Sequence, residues 1–144
     1  MRRYADSSFL ASCYVTDANT AQAKTVLSAI HTPLAFTDLH ALEMQNAFQL
    51  GIFRGQLSVR EAAAARANLQ KDLRSGRLLR TGLKWPAVFE AAARLSQRHS
   101  KTTGTRSLDI LHIASARSLR AKEFLSFDAR QLSLATLLGL ISAA

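Results

Sequence analysis

Asp109-Ile110-Leu111-His112-Ile113-Ala114-Ser115-Ala116, followed by Phe124-Leu125-Ser126-Phe127-Asp128, is the stretch on which the reading of this chain turns. The first segment reads as a helical run that begins on an acid, with Asp109 set between Leu108 and Ile110 inside an apolar stretch. The second reads as a buried strand closed by another acid, Asp128. Nearer the N-terminus, Asp6 follows Arg2-Arg3-Tyr4-Ala5 and opens the apolar stretch Ser7-Ser8-Phe9-Leu10. Glu43 lies in the first turns of the helical segment Leu39-His40-Ala41-Leu42-Glu43-Met44-Gln45-Asn46-Ala47. Each of the four acids sits where a strand ends or a helix begins. In an open α/β sheet those junctions share one edge, and that edge is where ligands bind.

The rest of the chain alternates in the same way. Strands are predicted near residues 2–5, 34–37, 78–81, 123–127 and 140–141. Helices are predicted over about 7–14, 21–30, 39–54, 59–74, 86–95, 109–116 and 129–138. Ser58-Val59-Arg60-Glu61 has the spacing of a capping box and starts one of them. Pro86 suits a first helical turn, with a buried stripe expected at Val88, Phe89, Ala92 and Leu95. Ser100 to Thr105 is expected to be a polar loop. Alternation with few hairpin signals implies parallel pairing and helices on both sheet faces. The expectation is one three-layer α/β domain spanning 1–144.

Acids are scarce here, ten against nineteen Lys and Arg, so their placement carries information. Two carboxylates about 5 Å apart repel by roughly 3 kcal/mol at an effective dielectric near 20. Hard divalent cations, which prefer oxygen ligands, relieve such repulsion. The competing explanation is structural, since Asp at a strand-to-helix junction caps free N–H groups. For Asp6 and Asp128 that explanation stands beside the metal one. Glu43 and Asp109 lie among apolar neighbours, where a carboxylate needs a partner. Asp17, Asp38 and Asp72 read as turn, cap and solvated-face residues, and His40 and His112 as core or surface histidines rather than ligands. No zinc spacing, phosphate-binding glycine loop or Gly-x-Ser-x-Gly elbow is present.

Composition sets the class. Hydrophobic residues make up 48% and charged residues 20% of 144, as expected for a folded domain. No apolar run approaches the roughly 20 residues of a membrane span. Cys13 is alone, which excludes an internal disulfide and fits a reducing compartment, so a cytoplasmic protein is expected. The net charge of +9 suggests a polyanionic partner. Arg60, Arg66, Lys71, Arg74, Arg77 and Arg80 form the densest basic supply; the alternative is a solvated helix face.

Four pieces in order carry a family resemblance: Tyr4-Ala5-Asp6-Ser7-Ser8, Glu43-Met44-Gln45-Asn46-Ala47, Leu108-Asp109-Ile110-Leu111-His112-Ile113-Ala114 and Phe124-Leu125-Ser126-Phe127-Asp128. Together they resemble PIN-domain proteins, and in particular VapC-type toxins of bacterial toxin–antitoxin pairs. The resemblance implies a five-stranded parallel sheet between helices and an Mg²⁺- or Mn²⁺-dependent endoribonuclease. It implies Asp6, Glu43, Asp109 and Asp128 as metal-holding catalytic acids. Ser7, Asn46 and Ser126 match supporting positions, with a buried helix amide as the alternative for Asn46. It also implies structured RNA (tRNA or rRNA loops) as substrate, a cognate antitoxin and a homodimer. Two other readings are a non-toxin RNA-processing nuclease of the same fold and a non-catalytic basic nucleic-acid-binding module.

Overall fold

In the computed structural model, which describes residues 2–143, the chain folds into two units, Ser7–Thr81 and the remainder. Within Ser7–Thr81, helix α1 (Ser7–Tyr14) and helix α2 (Thr20–Ser28) precede strand β2 (Leu34–Phe36). Helix α3 (Asp38–Phe53), helix α4 (Val59–Ser75) and strand β3 (Leu78–Arg80) complete the unit. The starts of both long helices are set by reciprocal caps. Ser58 Oγ accepts from the Glu61 N–H at 3.0 Å while Glu61 Oε1 accepts from the Ser58 N–H at 3.1 Å. At α3 the same exchange joins Thr37 to His40, whose Nδ1 accepts from the Thr37 N–H at 3.0 Å. Each cap satisfies donors that a helix start would otherwise leave open.

Helix α4 buries Ala62, Ala65 and Leu69, a stripe at helical spacing, and Gly76 ends it in a left-handed conformation at φ 82°. Strands β2 and β3 pair in parallel, with Leu34 opposite Leu78 and Phe36 opposite Arg80. Gly51 lies where α3 meets the following loop: a Cβ there would stand 2.8 Å from Leu57 Cδ1.

The other unit starts with β1 (Arg3–Ala5) and resumes after Gly82 with α5 (Trp85–Leu95). A π-helical turn (Ser96–Ser100), α6 (Lys101–Thr103), α7 (Ser107–Ser118), β4 (Glu123–Leu125), α8 (Ala129–Leu137) and β5 (Ile141–Ala143) follow. Its sheet is parallel in the order β1-β4-β5, with Tyr4 opposite Phe124. Those two rings stack with centroids 5.8 Å apart. Tyr4 also reaches α7, where its hydroxyl lies 2.7 Å from His112 Nδ1 in a buried hydrogen bond. Every residue of α7 from Asp109 to Ala116 is buried.

Strand–helix alternation and parallel pairing agree with expectation, and among the described residues all three strand pairings are parallel. Among the described residues the five strands are hydrogen-bonded as a set of three and a set of two, rather than as one continuous five-stranded ladder. Three further local expectations are corrected. Phe89 is 58% exposed, because α5 packs on one face only, the stripe of Val88, Ala92 and Leu95, and Phe89 falls outside it. The polar stretch from Ser100 stays helical to Thr103, since no breaker follows Pro86 until Gly104. Asp72 is not on a solvated face: it is half-buried and accepts a hydrogen bond from the Tyr14 hydroxyl at 2.6 Å.

Candidate active site

The strand ends of the β1-β4-β5 unit set the site. Asp6 is the first residue beyond β1, and its N–H donates to Leu125 O at 3.0 Å, so the β1–β4 ladder holds its backbone. Its side chain is buried at 1% exposure. Ser126, directly after β4, donates its hydroxyl to Asp6 Oδ2 at 2.8 Å and accepts the Asp128 N–H at 2.9 Å. One fully buried hydroxyl thus joins two acids from different strand ends.

Asp128 caps α8, as the structural explanation requires. Its Oδ1 accepts from the Arg130 and Gln131 N–H groups at 2.8 and 3.1 Å. That uses one oxygen. The other, Oδ2, stands 3.7 Å from Arg106 Nη2. Asp109, in the first turn of α7 and buried, is held at both oxygens: Oδ2 by Arg106 Nε at 3.1 Å and Oδ1 by Gln131 Nε2 at 2.8 Å. The turn after Gly104, left-handed at φ 66°, leads into extended Arg106, whose side chain comes back over the first turn of α7. A guanidinium therefore bridges Asp109 and Asp128. The Asp109 hydrogen bond and charge, followed by the charge of Asp128, hold Arg106 more firmly protonated than usual.

Caps account for one oxygen of Asp128, while the burial of Asp6 and Asp109 and the bridging cation exceed what capping needs. The carboxylate oxygens are a donor set suited to a hard divalent ion, and Arg106 shows that the Asp109–Asp128 pair accepts a cation. Among the described residues no three His, Cys, Asp or Glu side chains are gathered closely enough to hold a metal ion at once. The residues fit such an ion in kind, with Arg106 standing as the cation of this arrangement.

Glu43 belongs to the Ser7–Thr81 unit, half-buried on α3 between exposed Leu42 and buried Met44. Ser7 of the same unit is buried at the start of α1. Asn46 is exposed on α3, so the alternative of a buried helix amide is set aside. Arg60, Lys71, Arg74, Arg77 and Arg80 are exposed, with Arg77 Nη2 donating to Leu27 O at 3.3 Å. Arg66 is half-buried, its guanidinium 5.9 Å from the centre of the Phe48 ring. His40 and His112 are core residues with structural partners, as expected. Burial pushes the Cys13 thiol up to about 11, far from a nucleophile's range.

Sequence reasoning missed Arg106 and Gln131. Arg three residues before Asp109 was a readable signal for the first, because such positions meet at a helix start. For Gln131 the signal was Asp-x-x-Gln at 128–131, the spacing of a capping box. Here the glutamine side chain turns to Asp109 instead.

The PIN domain profile matches residues 3–137. Among solved structures, the fold is similar to Mycobacterium tuberculosis VapC20, a toxin that cleaves the sarcin–ricin loop. That likeness has a TM-score of 0.68 at 18% identity and covers 96% of each chain. It is also similar to FitAcB from Neisseria gonorrhoeae, with a TM-score of 0.63 at 13% identity over 99% of this chain and 96% of that one. No curated protein sequence matches. With the profile running across nearly all of its length and the fold agreeing, the chain belongs to the PIN domain family.

Proposed function

We propose that this chain is a metal-dependent endoribonuclease, the toxin of a toxin–antitoxin pair, acting as one nuclease domain in the cytoplasm. The observation that carries the reading is the network in which Ser126, Arg106 and Gln131 tie Asp6, Asp109 and Asp128 together. Buried acids held by so many donors are expensive to keep for structure alone. Glu43 is proposed as the fourth acid, on the match of its segment to the family pattern, with Ser7 and Asn46 beside it as supporting residues.

In this reading Asp6, Glu43, Asp109 and Asp128 hold Mg²⁺ or Mn²⁺. Such an ion, when bound, lowers the pKa of a water and offsets charge on the phosphate oxygens. The chain's own groups prepare the place. Ser126 fixes the Asp6 carboxylate and the Asp128 backbone in one hydrogen-bonded line. Asp128 satisfies α8 through Oδ1 and keeps Oδ2 for a cation. Arg106, 70% exposed, pairs with two acids and can withdraw into solvent. The exposed Arg60, Lys71, Arg74, Arg77 and Arg80 would hold the RNA backbone, with Arg66 contributing less because it rests on Phe48.

Structured RNA, a tRNA or rRNA loop, is the proposed substrate, because a loop can present a phosphate to a recessed site. Likeness to a toxin that cleaves the sarcin–ricin loop supports this choice. The proposed partners are a cognate antitoxin and a second copy of the chain. The test is cleavage of labelled cellular RNA in Mg²⁺, in Mn²⁺ and in EDTA. Cuts leaving 5′-phosphate and 3′-hydroxyl ends, lost in EDTA and in Asp6→Asn and Glu43→Gln, are expected. Full activity in EDTA would overturn the mechanism, and unimpaired growth on strong expression of soluble protein would overturn the toxin role.

A further inference from the structure

Gln131 is 4% exposed in the first turn of α8, and it touches both acids that flank Arg106. Its backbone N–H caps on Asp128 Oδ1 at 3.1 Å, and its side-chain amide donates to Asp109 Oδ1 at 2.8 Å. The other half of the same amide is unmatched: among the described residues, Gln131 Oε1 is a buried side-chain atom with no hydrogen-bond partner. Reversing the amide does not help. It would turn Oε1 onto a carboxylate oxygen and set two acceptors against each other. Asp109 therefore dictates which way the amide points.

A buried acceptor without a donor carries a desolvation cost. A leucine or methionine of similar volume would fill the site without it, so packing does not explain a glutamine here. What the amide supplies is a second anchor for Asp109. Arg106 holds one carboxylate oxygen and Gln131 the other, which fixes the plane of the group. The Arg106 anchor is exposed and displaceable, and the Gln131 anchor is buried and permanent.

We propose that Gln131 is a positioning residue for Asp109, keeping that carboxylate oriented when Arg106 leaves it, at the cost of a buried unpaired oxygen. The inference rests on the proposed metal-holding role of Asp109. It gives Gln131 a purpose distinct from stability, which substitution separates. Gln131→Met keeps the volume and removes both amide groups; Gln131→Leu removes them with a branched side chain.

The experiment is Mn²⁺ titration by calorimetry on wild type and both variants, with thermal unfolding in EDTA and kcat and KM for RNA cleavage. Gln131→Met should melt within about 2 °C of wild type or above it, because the lost hydrogen bond and the relieved acceptor offset each other. Mn²⁺ affinity should fall roughly tenfold or more in each variant, the usual effect of removing a partner that orients a metal ligand. Cleavage should lose kcat with KM unchanged. If Gln131→Met melts several degrees lower, or either folded variant binds Mn²⁺ within twofold of wild type, the inference is overturned while the metal reading stands. If wild type itself binds no Mn²⁺, the metal reading fails, and this inference with it.

Discussion

Replacing Ser126 by alanine removes one hydroxyl and unpairs two groups at once. The hydroxyl donates to Asp6 Oδ2 at 2.8 Å and accepts the Asp128 N–H at 2.9 Å, and Ser126 itself has no exposed surface. Asp6 is buried at 1% exposure, so its lost donor is not replaced by bulk water. A hydrogen bond to a charged group contributes about 1.5–3 kcal/mol, and a backbone N–H left open costs about 1 kcal/mol or more. Asp128 is a quarter exposed, so water reaches its N–H in part and the second figure stays at its lower end. The sum is about 2.5–4 kcal/mol. At this chain length that lowers the melting temperature by roughly 8–12 °C. Urea unfolding of wild type, Ser126→Ala and Ser126→Cys measures it. Cysteine, a weaker donor of similar size, should fall between the other two. A loss below about 0.5 kcal/mol in Ser126→Ala, the range of an ordinary surface substitution, would refute the claim that this hydroxyl holds the two acids together.

Arg106→Gln should tighten Mn²⁺ binding several-fold by calorimetry, because the resident cation between Asp109 and Asp128 no longer has to leave; unchanged or weaker binding would contradict that role. Asp109→Asn should lower the melting temperature in EDTA. The sequence alone suggests the reverse, relief of repulsion among acids, but Arg106 already offsets that charge and the substitution removes an attraction. Cys13 should resist alkylation at neutral pH, its rate rising with a midpoint near 11 rather than 9.0. Burial raises that thiol's pKa in the folded chain, so the stability it contributes is complete below pH 9.0 and disappears as pH climbs through about 11. Unfolding followed from pH 8 to 11 should show this decline in wild type and less of it in Cys13→Ala.

Much of the architecture was legible in the order of residues because local rules and the fold agree. The Ser58–Glu61 box starts α4 where its spacing says, and Gly76 ends it. Helix α1 runs over the predicted residues 7–14, and the strand positions are right to within two or three residues. What stayed hidden depended on contacts across sequence. Asp72 looks solvated until Tyr14, 58 residues away, hydrogen-bonds to it. Phe89 belongs to an apolar run, and only the packing of α5 decides which of two adjacent residues faces out. The placement of Asp6 and Asp128 after strands and of Asp109 at a helix start was legible from position. Gln131 was not, because it reaches Asp109 only when α7 and α8 lie side by side, and the bridge from Arg106 to Asp128 forms only there too.

The proposed nuclease activity requires Asp6, Glu43, Asp109 and Asp128 to serve one cation. Titrating trace Mn²⁺ into isotopically labelled protein tests it directly, because the paramagnetic ion broadens the NMR signals of nuclei around it. Amide signals of Asp6, Ser126, Asp109 and Asp128, together with Glu43 on α3, should disappear first and together, and excess Mg²⁺ should restore them. Broadening scattered over surface acids, or confined to one of the four, would contradict that requirement.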